Sequence, residues 1–301
     1  MLKIAFSPIY KLKLPEGHRF PMIKYELIPE QLIYEGVVNK ENFFPPNFIN
    51  QKWVLKAHDK IYINKLNTLK LSKIEIRKTG FPLTKELIER EYVISEGTRM
   101  CVDYAILYGA SANIAGGTHH SFRDRGEGFC LLNDVAIASF YALEKYNFKK
   151  ILIIDLDVHQ GNGTASIMKN EKCIFTFSMH GKKNYPFKKE VSDLDIELDD
   201  GTGDFEYLKK VNENLTNLFN NDLPNIIFYI SGVDILSTDK LGRLNITRNG
   251  CKERDELVYE YAKKYNIPVV TVMGGGYSEK IYDIVEAHCN TFKAMTSLIK
   301  G

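Results

Sequence analysis

The sequence has few features of a covalently stapled or membrane-anchored protein. Its 301 residues include only five cysteines, and none of these belongs to a CxxC pair. A disulfide scaffold is therefore excluded, and a zinc knuckle or thioredoxin-type motif is disfavoured. No apolar run approaches the ~20 residues that a membrane-spanning helix needs, and the N-terminal residues lack the charged and apolar regions of a signal peptide. We expect a soluble, cytoplasmic protein with free thiols.

The chain also lacks an excess of one charge. Forty Lys and Arg residues against 38 Asp and Glu residues leave a net charge of +2. A dedicated nucleic-acid-binding protein would carry a basic stripe and a high pI, so we expect no nucleic-acid partner. A hydrophobic fraction of 44% excludes disorder, which requires low hydrophobicity and high net charge.

Short apolar runs alternate with helix-length periodic segments from about residue 97 onward. We predict strands at Leu2–Phe6, Ile151–Ile154, Cys173–Ser178, Asn225–Ile230 and Ile267–Met273. We predict helices at Met22–Glu35, Gly97–Tyr108, Leu132–Tyr146, Asp204–Asn220, Lys252–Tyr265 and Glu279–Leu298, with loops and short helices in residues 36–95. This alternation predicts an α/β fold with a mainly parallel sheet between two helical layers, in a single domain of residues 1–301.

Polar residues follow the predicted strands, where α/β sheets bind their ligands. Asp155, Asp157 and His159 lie two residues apart, so an extended chain projects them from one face. Asp157 and His159 could therefore be two ligands of a catalytic zinc site, with Asp234 from another strand end as the third. A strand-end Asp could instead cap the following helix. The GNG at residues 161–163 is not a dinucleotide fingerprint, because that motif requires Gly or Ala three residues after its second glycine, and Ser166 stands there.

Three glycine-rich segments carry further candidate residues. His119 and His120 are adjacent in a loop with two glycines and could serve as general acid and base, although a single buried histidine is more often structural. Tyr277 follows three glycines and could donate a hydrogen bond to a polarised carbonyl, or simply anchor a turn. Phe129, in Gly126–Cys130, could wall a narrow slot or belong to the core.

Together these segments resemble the zinc-dependent histone deacetylase superfamily, which includes acetoin-utilisation proteins and acetylpolyamine amidohydrolases. The resemblance rests on Gly116–His120, Gly126–Asp134, Asp155–Gly163, Ser231–Asp234 and Gly274–Tyr277. The segments His18–Tyr25, Gly80–Pro82, Gly97–Thr98 and Asp239–Thr247 look like the class IV-type branch and its bacterial relatives. The resemblance covers nearly the whole chain and implies an arginase/deacetylase-like αβα fold with about eight strands in the central sheet.

The resemblance also implies the role of each candidate residue. Asp157, His159 and Asp234 match the zinc ligands, and iron(II) is an alternative metal for such a mixed site. His120 matches the general base, His119 its partner held by Asp155, and Tyr277 the carbonyl-polarising tyrosine. Asn162 stands where many members carry an Asp that pairs with the second histidine, which leaves the pH optimum open.

The resemblance implies a substrate channel and a structural ion as well. Phe129 matches one channel wall, Tyr185 the opposite one, and Gly128 and Gly275 are assigned to the channel beside them. Asp155 also matches a ligand of a structural monovalent cation, K⁺ or Na⁺, and Ser178 belongs to the region expected near that cation. No match is found for the rim Asp that grips the peptide backbone in some relatives.

The function implied is a zinc-dependent amidohydrolase that removes an acyl group, most simply acetyl, from lysine side chains by attack of a metal-activated water. The substrate could instead be long-chain acyl-lysine, an acetylpolyamine or another small amide. A metal-binding scaffold with little catalysis is the alternative of another class. The partner would be an acyl-lysine protein or peptide, or a small acylated amine, while the oligomeric state is left open. The basic run at Lys182-Lys183 and Lys188-Lys189 could contact acidic partners or be a solvated loop.

Overall fold

One parallel sheet forms the centre of the molecule. The computed structural model describes residues 1–299, with the side chains of all except residues 221 and 297–299. Within them lie strands β1 (Lys3–Ala5), β2 (Phe43–Phe44), β3 (Ala110–Asn113), β4 (Ile151–Asp155), β5 (Ile174–Gly181), β6 (Leu194–Leu198), β7 (Ile226–Ile230) and β8 (Val269–Val272). Their order is β2-β1-β3-β8-β7-β4-β5-β6, and every pairing is parallel. The predicted fold class is confirmed, while residues 300 and 301 of the predicted domain lie outside the described part.

Helices connect successive strands, as is usual for parallel pairing, except that residues 182–193 join β5 to β6 without a helix. They are α1 (Lys24–Tyr34), α2 (Gln51–Ala57), α3 (Lys60–Asn67), α4 (Lys73–Thr79), α5 (Lys85–Tyr108), α6 (Asp134–Tyr146), α7 (Asn162–Met168), α8 (Asp204–Asn221), α9 (Arg248–Lys264) and α10 (Ile281–Ile299). The central strands β4, β7 and β8 are buried along their whole length, which explains their continuous apolar sequences.

The structure differs from the sequence prediction mainly where polarity or length hid an element. Helix α5 begins at Lys85, well before the predicted Gly97, because the Thr84 side chain caps it by accepting from the Leu87 backbone N–H at 3.2 Å. Strand β3 was missed because its sequence, ASAN, is polar although fully buried. The edge strand β6 and the two-residue β2 are too short or too exposed to give a clear apolar run.

The carboxyl ends of the central strands meet at one edge of the sheet. Asp155 ends β4 and pairs in register with Ile230 of β7 on one side and Ser178 of β5 on the other. The loops that follow β4, β7 and β8 therefore start side by side, and all three carry candidate residues.

Among the described helices, none is both long and apolar enough to cross a membrane.

Candidate active site

Two carboxylates and one imidazole converge just beyond β4 and β7. Asp157, His159 and Asp234 each offer one ligand atom, and these atoms all lie within 4.8 Å of one another. His159 Nδ1 is 3.1 Å from Asp157 Oδ1 and 3.0 Å from Asp234 Oδ2. All three residues are buried, and the set of two carboxylates and one histidine is a donor set that suits a divalent transition metal.

Backbone N–H groups hold the two carboxylates in place. The Gly275 N–H donates to Asp157 Oδ2 at 2.7 Å, and the Val158 N–H donates to Asp234 Oδ1 at 3.0 Å. The oxygen of Asp234 that faces His159 is thereby the one left for a metal. Hydrogen bonds of this kind orient metal ligands and are a usual part of metal sites.

The pKa shifts of the residues in this cluster indicate that a cation would stabilise it. Burial raises the pKa of Asp234, and the Asp157 carboxylate raises it further, to about 7. Burial alone would lower the pKa of His159, but the same two carboxylates raise it, to about 10. Two buried carboxylates thus compete for one imidazole. A bound divalent cation would relieve this competition, so the residues fit a metal.

His119 and His120 lie beside this cluster, and each has a different partner. His119 Nδ1 is 2.7 Å from Asp155 Oδ2, and His120 Nδ1 is 2.7 Å from Asn162 Oδ1. The ring of His120 lies 5.9 Å from that of His159, centroid to centroid. The structure therefore brings together both histidines, Asp155 and Asn162 as the sequence predicts.

The two histidines have opposite pKa shifts. Burial lowers the pKa of His119, but the Asp155 and Asp157 carboxylates outweigh it and raise that pKa to about 9. Burial and the positive charges on His119 and His159 lower the pKa of His120 well below its ordinary value, although the hydrogen bond that His120 donates to the Asn162 oxygen acts in the opposite direction. At neutral pH His119 is the cation of the pair, and His120 is neutral.

Tyr277 closes the opposite side of the site. Its ring is 6.5 Å from His159 and 5.8 Å from Phe129, and burial raises the pKa of its phenol. The Tyr277 N–H donates to Asp239 Oδ2 at 2.6 Å, while Asp239 Oδ1 accepts from the Leu241 N–H at 2.8 Å. Asp239 thus fixes the backbone of Tyr277, a contact that the sequence did not predict although it lies in the recognised Asp239–Thr247 segment.

A small inner chamber adjoins the Asp157–His159–Asp234 cluster. Its volume is about 40 Å³, and Gly275 lines it together with the two histidines and Tyr277. Tyr25, Arg90 and Cys130 also line it, and none of these three was predicted from the sequence. Tyr25 and Cys130 lie within the recognised segments His18–Tyr25 and Gly126–Asp134, so the resemblance could have indicated them, whereas Arg90 on α5 belongs to no recognised segment.

A wider mouth leads from the chamber to the surface, with a volume of about 370 Å³. The predicted channel residues Phe129, Gly128 and Tyr185 all line this mouth, and Tyr185 packs edge-on against His120 at 4.9 Å. Gly128 has φ +52°, and a Cβ there would lie 2.7 Å from His120 Cδ2, so only glycine fits. The predicted channel aromatics therefore stand beside the histidines.

The side-chain oxygens of the predicted monovalent-cation site already have hydrogen-bond partners within the protein. Ser178 stands next to Asp155 in the sheet, but its hydroxyl contacts His180 Nδ1 at 2.9 Å. Both oxygens of Asp155 are engaged, one by His119 and the other by the Asp157 N–H. The cation site stays a prediction.

Two buried residues that the sequence did not single out hold the site loops. Asp134 accepts from the Gly117 and Thr118 N–H groups at 3.2 and 2.9 Å, which fixes the loop before His119. Arg254 donates to the carbonyls of Leu156 and Gly232 at 3.2 and 2.6 Å. These carbonyls directly precede or adjoin the loops that carry Asp157 and Asp234. Asp134 could have been found, because it ends the recognised Gly126–Asp134 segment.

Comparison with known proteins places this geometry in one family. The histone deacetylase domain matches residues 18–292. The chain is 37% identical over 285 residues to an uncharacterised protein of Picosynechococcus, covering 95% of both chains. It is 30% identical to histone deacetylase 2 of Arabidopsis thaliana, with 91% of this chain and 72% of that one covered. It is 26% identical to the acetoin utilization protein AcuC of Staphylococcus aureus, covering 90% and 75%.

A solved structure shares the fold. A histone deacetylase homologue of Aquifex aeolicus superposes with a TM-score of 0.84 at 22% identity, covering 99% of this chain and 84% of that one. The histone deacetylase domain matches most of the chain. The alignment with the Arabidopsis relative also covers most of that protein's length. The chain belongs to the histone deacetylase family.

Proposed function

We propose that the protein is a metal-dependent amidohydrolase, with zinc or iron(II) as its metal, that removes an acetyl group from acylated lysine side chains. The observation that carries the proposal is the buried Asp157–His159–Asp234 cluster, with two histidines of opposite pKa shift and a tyrosine around it. Each of these groups has a step to perform in amide hydrolysis. A metal-binding scaffold would have no use for the histidine pair.

The metal site supplies electrophilic chemistry. Asp157, His159 and Asp234 would hold a divalent cation, which would supply the Lewis acidity that polarises a carbonyl and lowers the pKa of a water molecule toward 7. The protein's own contribution is to hold these ligands in fixed positions through the Gly275 and Val158 N–H groups.

His120 is suited to move the proton. With Nδ1–H donated to the Asn162 side-chain oxygen, its Nε2 is left free to accept a proton from water and return it to the leaving amine. The lowered pKa of His120 keeps this nitrogen unprotonated at neutral pH. His119, charged and held by Asp155, contributes positive charge near the developing oxyanion.

Tyr277 is suited to stabilise that oxyanion. Its raised phenol pKa keeps the hydroxyl protonated, so it can donate a hydrogen bond where negative charge develops. Preorganised donors of this kind usually supply a large share of catalysis. Asp239 holds the tyrosine's backbone for this task.

The size of the inner chamber favours a short acyl group. Its volume of about 40 Å³ corresponds to roughly three water-sized spaces, which suits an acetyl methyl group. A long fatty chain would require the chamber to widen at Tyr25, Ile94 or Cys130. We therefore favour deacetylation over long-chain deacylation.

The test is an acyl panel with metal analysis on the same preparation. Lysine peptides carrying acetyl or myristoyl groups and an acetylpolyamine are compared for release of the acid. We expect acetyl-lysine hydrolysis that is lost on chelation and restored by zinc or iron(II). Metal binding with no turnover on any amide would contradict the enzyme proposal and favour the scaffold. Faster hydrolysis of the myristoyl peptide would contradict the acetyl preference alone.

A further inference from the structure

The mouth above the site is lined by cations from four separate parts of the chain. Arg19 precedes α1, Lys78 lies on α4, Lys183 follows β5, and Arg243 lies between β7 and α9. No aspartate or glutamate is among the lining residues, all of which the structure describes. The walls between the cations are formed by Phe129, Tyr185 and Tyr277.

Nearby carboxylates only partly neutralise these cations. Asp200 is shared by Lys183 at 3.7 Å and Arg243 at 3.3 Å. Glu127 is 3.9 Å from Lys78, but its closer contacts are Arg125 and the Tyr185 hydroxyl, both at 2.8 Å.

Arg19 has no ion-pair partner within residues 1–299, and its guanidinium lies 5.1 Å from the Phe129 ring centroid. Four cations facing the mouth against two carboxylates behind it leave a local excess of positive charge. The whole chain has a net charge of only +2, so a field at the mouth has to come from these local cations.

We propose that the natural substrate is an acylated lysine with a carboxylate close to its acylated side chain. Acylated lysines in basic tails and acylated polyamines would be poorer substrates. This rests on the proposed amide hydrolysis and specifies its substrate class. A cleft lined by one sign of charge focuses the field, concentrates counter-ions and raises their association rate. The same field repels cationic substrates, which disfavours the acetylpolyamine alternative. The carboxylate could belong to acidic neighbours in a peptide or to a free acylated amino acid.

The test compares substrates that differ only in charge. Acetyl-lysine peptides of equal length are flanked by aspartates, serines or lysines, and Nα-blocked acetyl-lysine is used as the free acid and as its methylamide. We expect kcat/KM to be about tenfold or more higher for the aspartate than for the lysine peptide. The difference should shrink at high salt, because screening weakens surface electrostatics. Preference for the free acid over its amide, without a preference among peptides, would identify a small acylated acid as the source.

Charge-reversal variants assign the effect to the mouth. Arg19→Glu with Lys183→Glu should lower the aspartate-to-lysine ratio of kcat/KM by about tenfold or more, and Lys78→Glu with Arg243→Glu provides a second pair. Lys188→Glu is the matched control, because Lys188 is exposed on the same loop as Lys183 but does not line the mouth. The control should keep the wild-type ratio.

The outcomes separate this inference from the function it rests on. Equal rates on all charged substrates, or a preference for the lysine peptide, would overturn the inference while leaving hydrolysis intact. A ratio that falls equally in Lys188→Glu would also overturn it, because the effect would then be one of total charge. Absence of hydrolysis on every peptide and both small amides would overturn the proposed function and this inference together.

Discussion

The floor of the site, which is formed by the Asp157–His159–Asp234 cluster with His119, His120 and Tyr277, differs from its mouth in burial. On the floor, the side chains of His119 and Asp157 are 5% and 1% exposed, and hydrogen bonds fix their orientation. At the mouth, Lys183 and Arg243 are 67% and 55% exposed and share one carboxylate. Buried, fixed groups can stabilise a transition state, whereas exposed cations act mainly on the approach of the substrate. Floor and mouth substitutions should therefore change different kinetic constants.

The largest effect should come from His120, the histidine proposed to transfer the proton. His120→Ala removes the group whose Nε2 is free to accept a proton, and kcat should fall by about 10²–10⁴ on every substrate. Steady-state kinetics on acidic and basic peptides test this. As a control, Asn162→Asp keeps an oxygen facing Nδ1 but adds a charge, which raises the pKa of His120. It should move the acidic limb of the rate profile to higher pH. A kcat that survives His120→Ala would remove this residue from the mechanism.

The next largest effect should come from Tyr277, whose phenol is proposed to stabilise the oxyanion. Tyr277→Phe should lower kcat by about 10²–10³, with little change in KM. Tyr34→Phe is the control, since Tyr34 is 87% exposed on α1. If Tyr277→Phe raised KM alone, the hydroxyl would serve substrate binding and the floor would lose one of its catalytic groups.

Behind the floor, His58 should make stability depend on pH. Its Nδ1 is 2.8 Å from the Phe122 carbonyl oxygen, its Nε2 accepts from the Asn133 N–H, and burial lowers its pKa to about 4. The unfolded chain therefore binds this proton at higher pH than the folded one. The stability contributed by neutral His58 is complete above about pH 6.5 and is lost as pH falls toward 4.

Between pH 6.5 and 5 this group should cost about 2 kcal/mol in the free energy of unfolding. Urea unfolding at both pH values should show a smaller loss in His58→Gln than in wild type, even though the variant is less stable at pH 7. Equal losses in the two proteins would show that His58 does not titrate on unfolding.

The smallest effect should come from a single cation at the mouth. Lys78→Gln should raise KM for an acidic peptide a few-fold at low salt and leave kcat nearly constant, because an exposed ion pair contributes at most about 1 kcal/mol. Repeating the assay at high salt should abolish the difference. A drop in kcat instead would mean that floor and mouth are not separable.

Sequence could predict the floor far better than the mouth. The D-x-D-x-H spacing after an apolar strand brings Asp157 and His159 together, and the predicted histidine and tyrosine segments meet them. These residues follow the ends of neighbouring strands, whose position is fixed by sheet pairing. The floor is therefore encoded by local spacing and a common topology.

The mouth depends on loops that lie far apart in the chain. Arg19 and Arg243 lie in the recognised segments His18–Tyr25 and Asp239–Thr247, and Lys183 lies in the basic run. No common motif or period, however, links the four cations that line the mouth. Strand β3 shows the same limit in the fold, since its buried ASAN sequence is set by its neighbours β1 and β8. Arrangement between distant segments, more than local pattern, decides such features.

Arg254 links the site to helix α9. Its guanidinium sits on α9, is fully buried, and ties the carbonyls of Leu156 and Gly232 to that helix. Any opening of α9 would release at once the loops that carry two of the proposed metal ligands, Asp157 and Asp234. By linkage, metal that binds only the closed form must then hold α9 in place. Loading of the metal is thus expected to slow amide hydrogen exchange in α9, a helix that carries none of the proposed metal ligands.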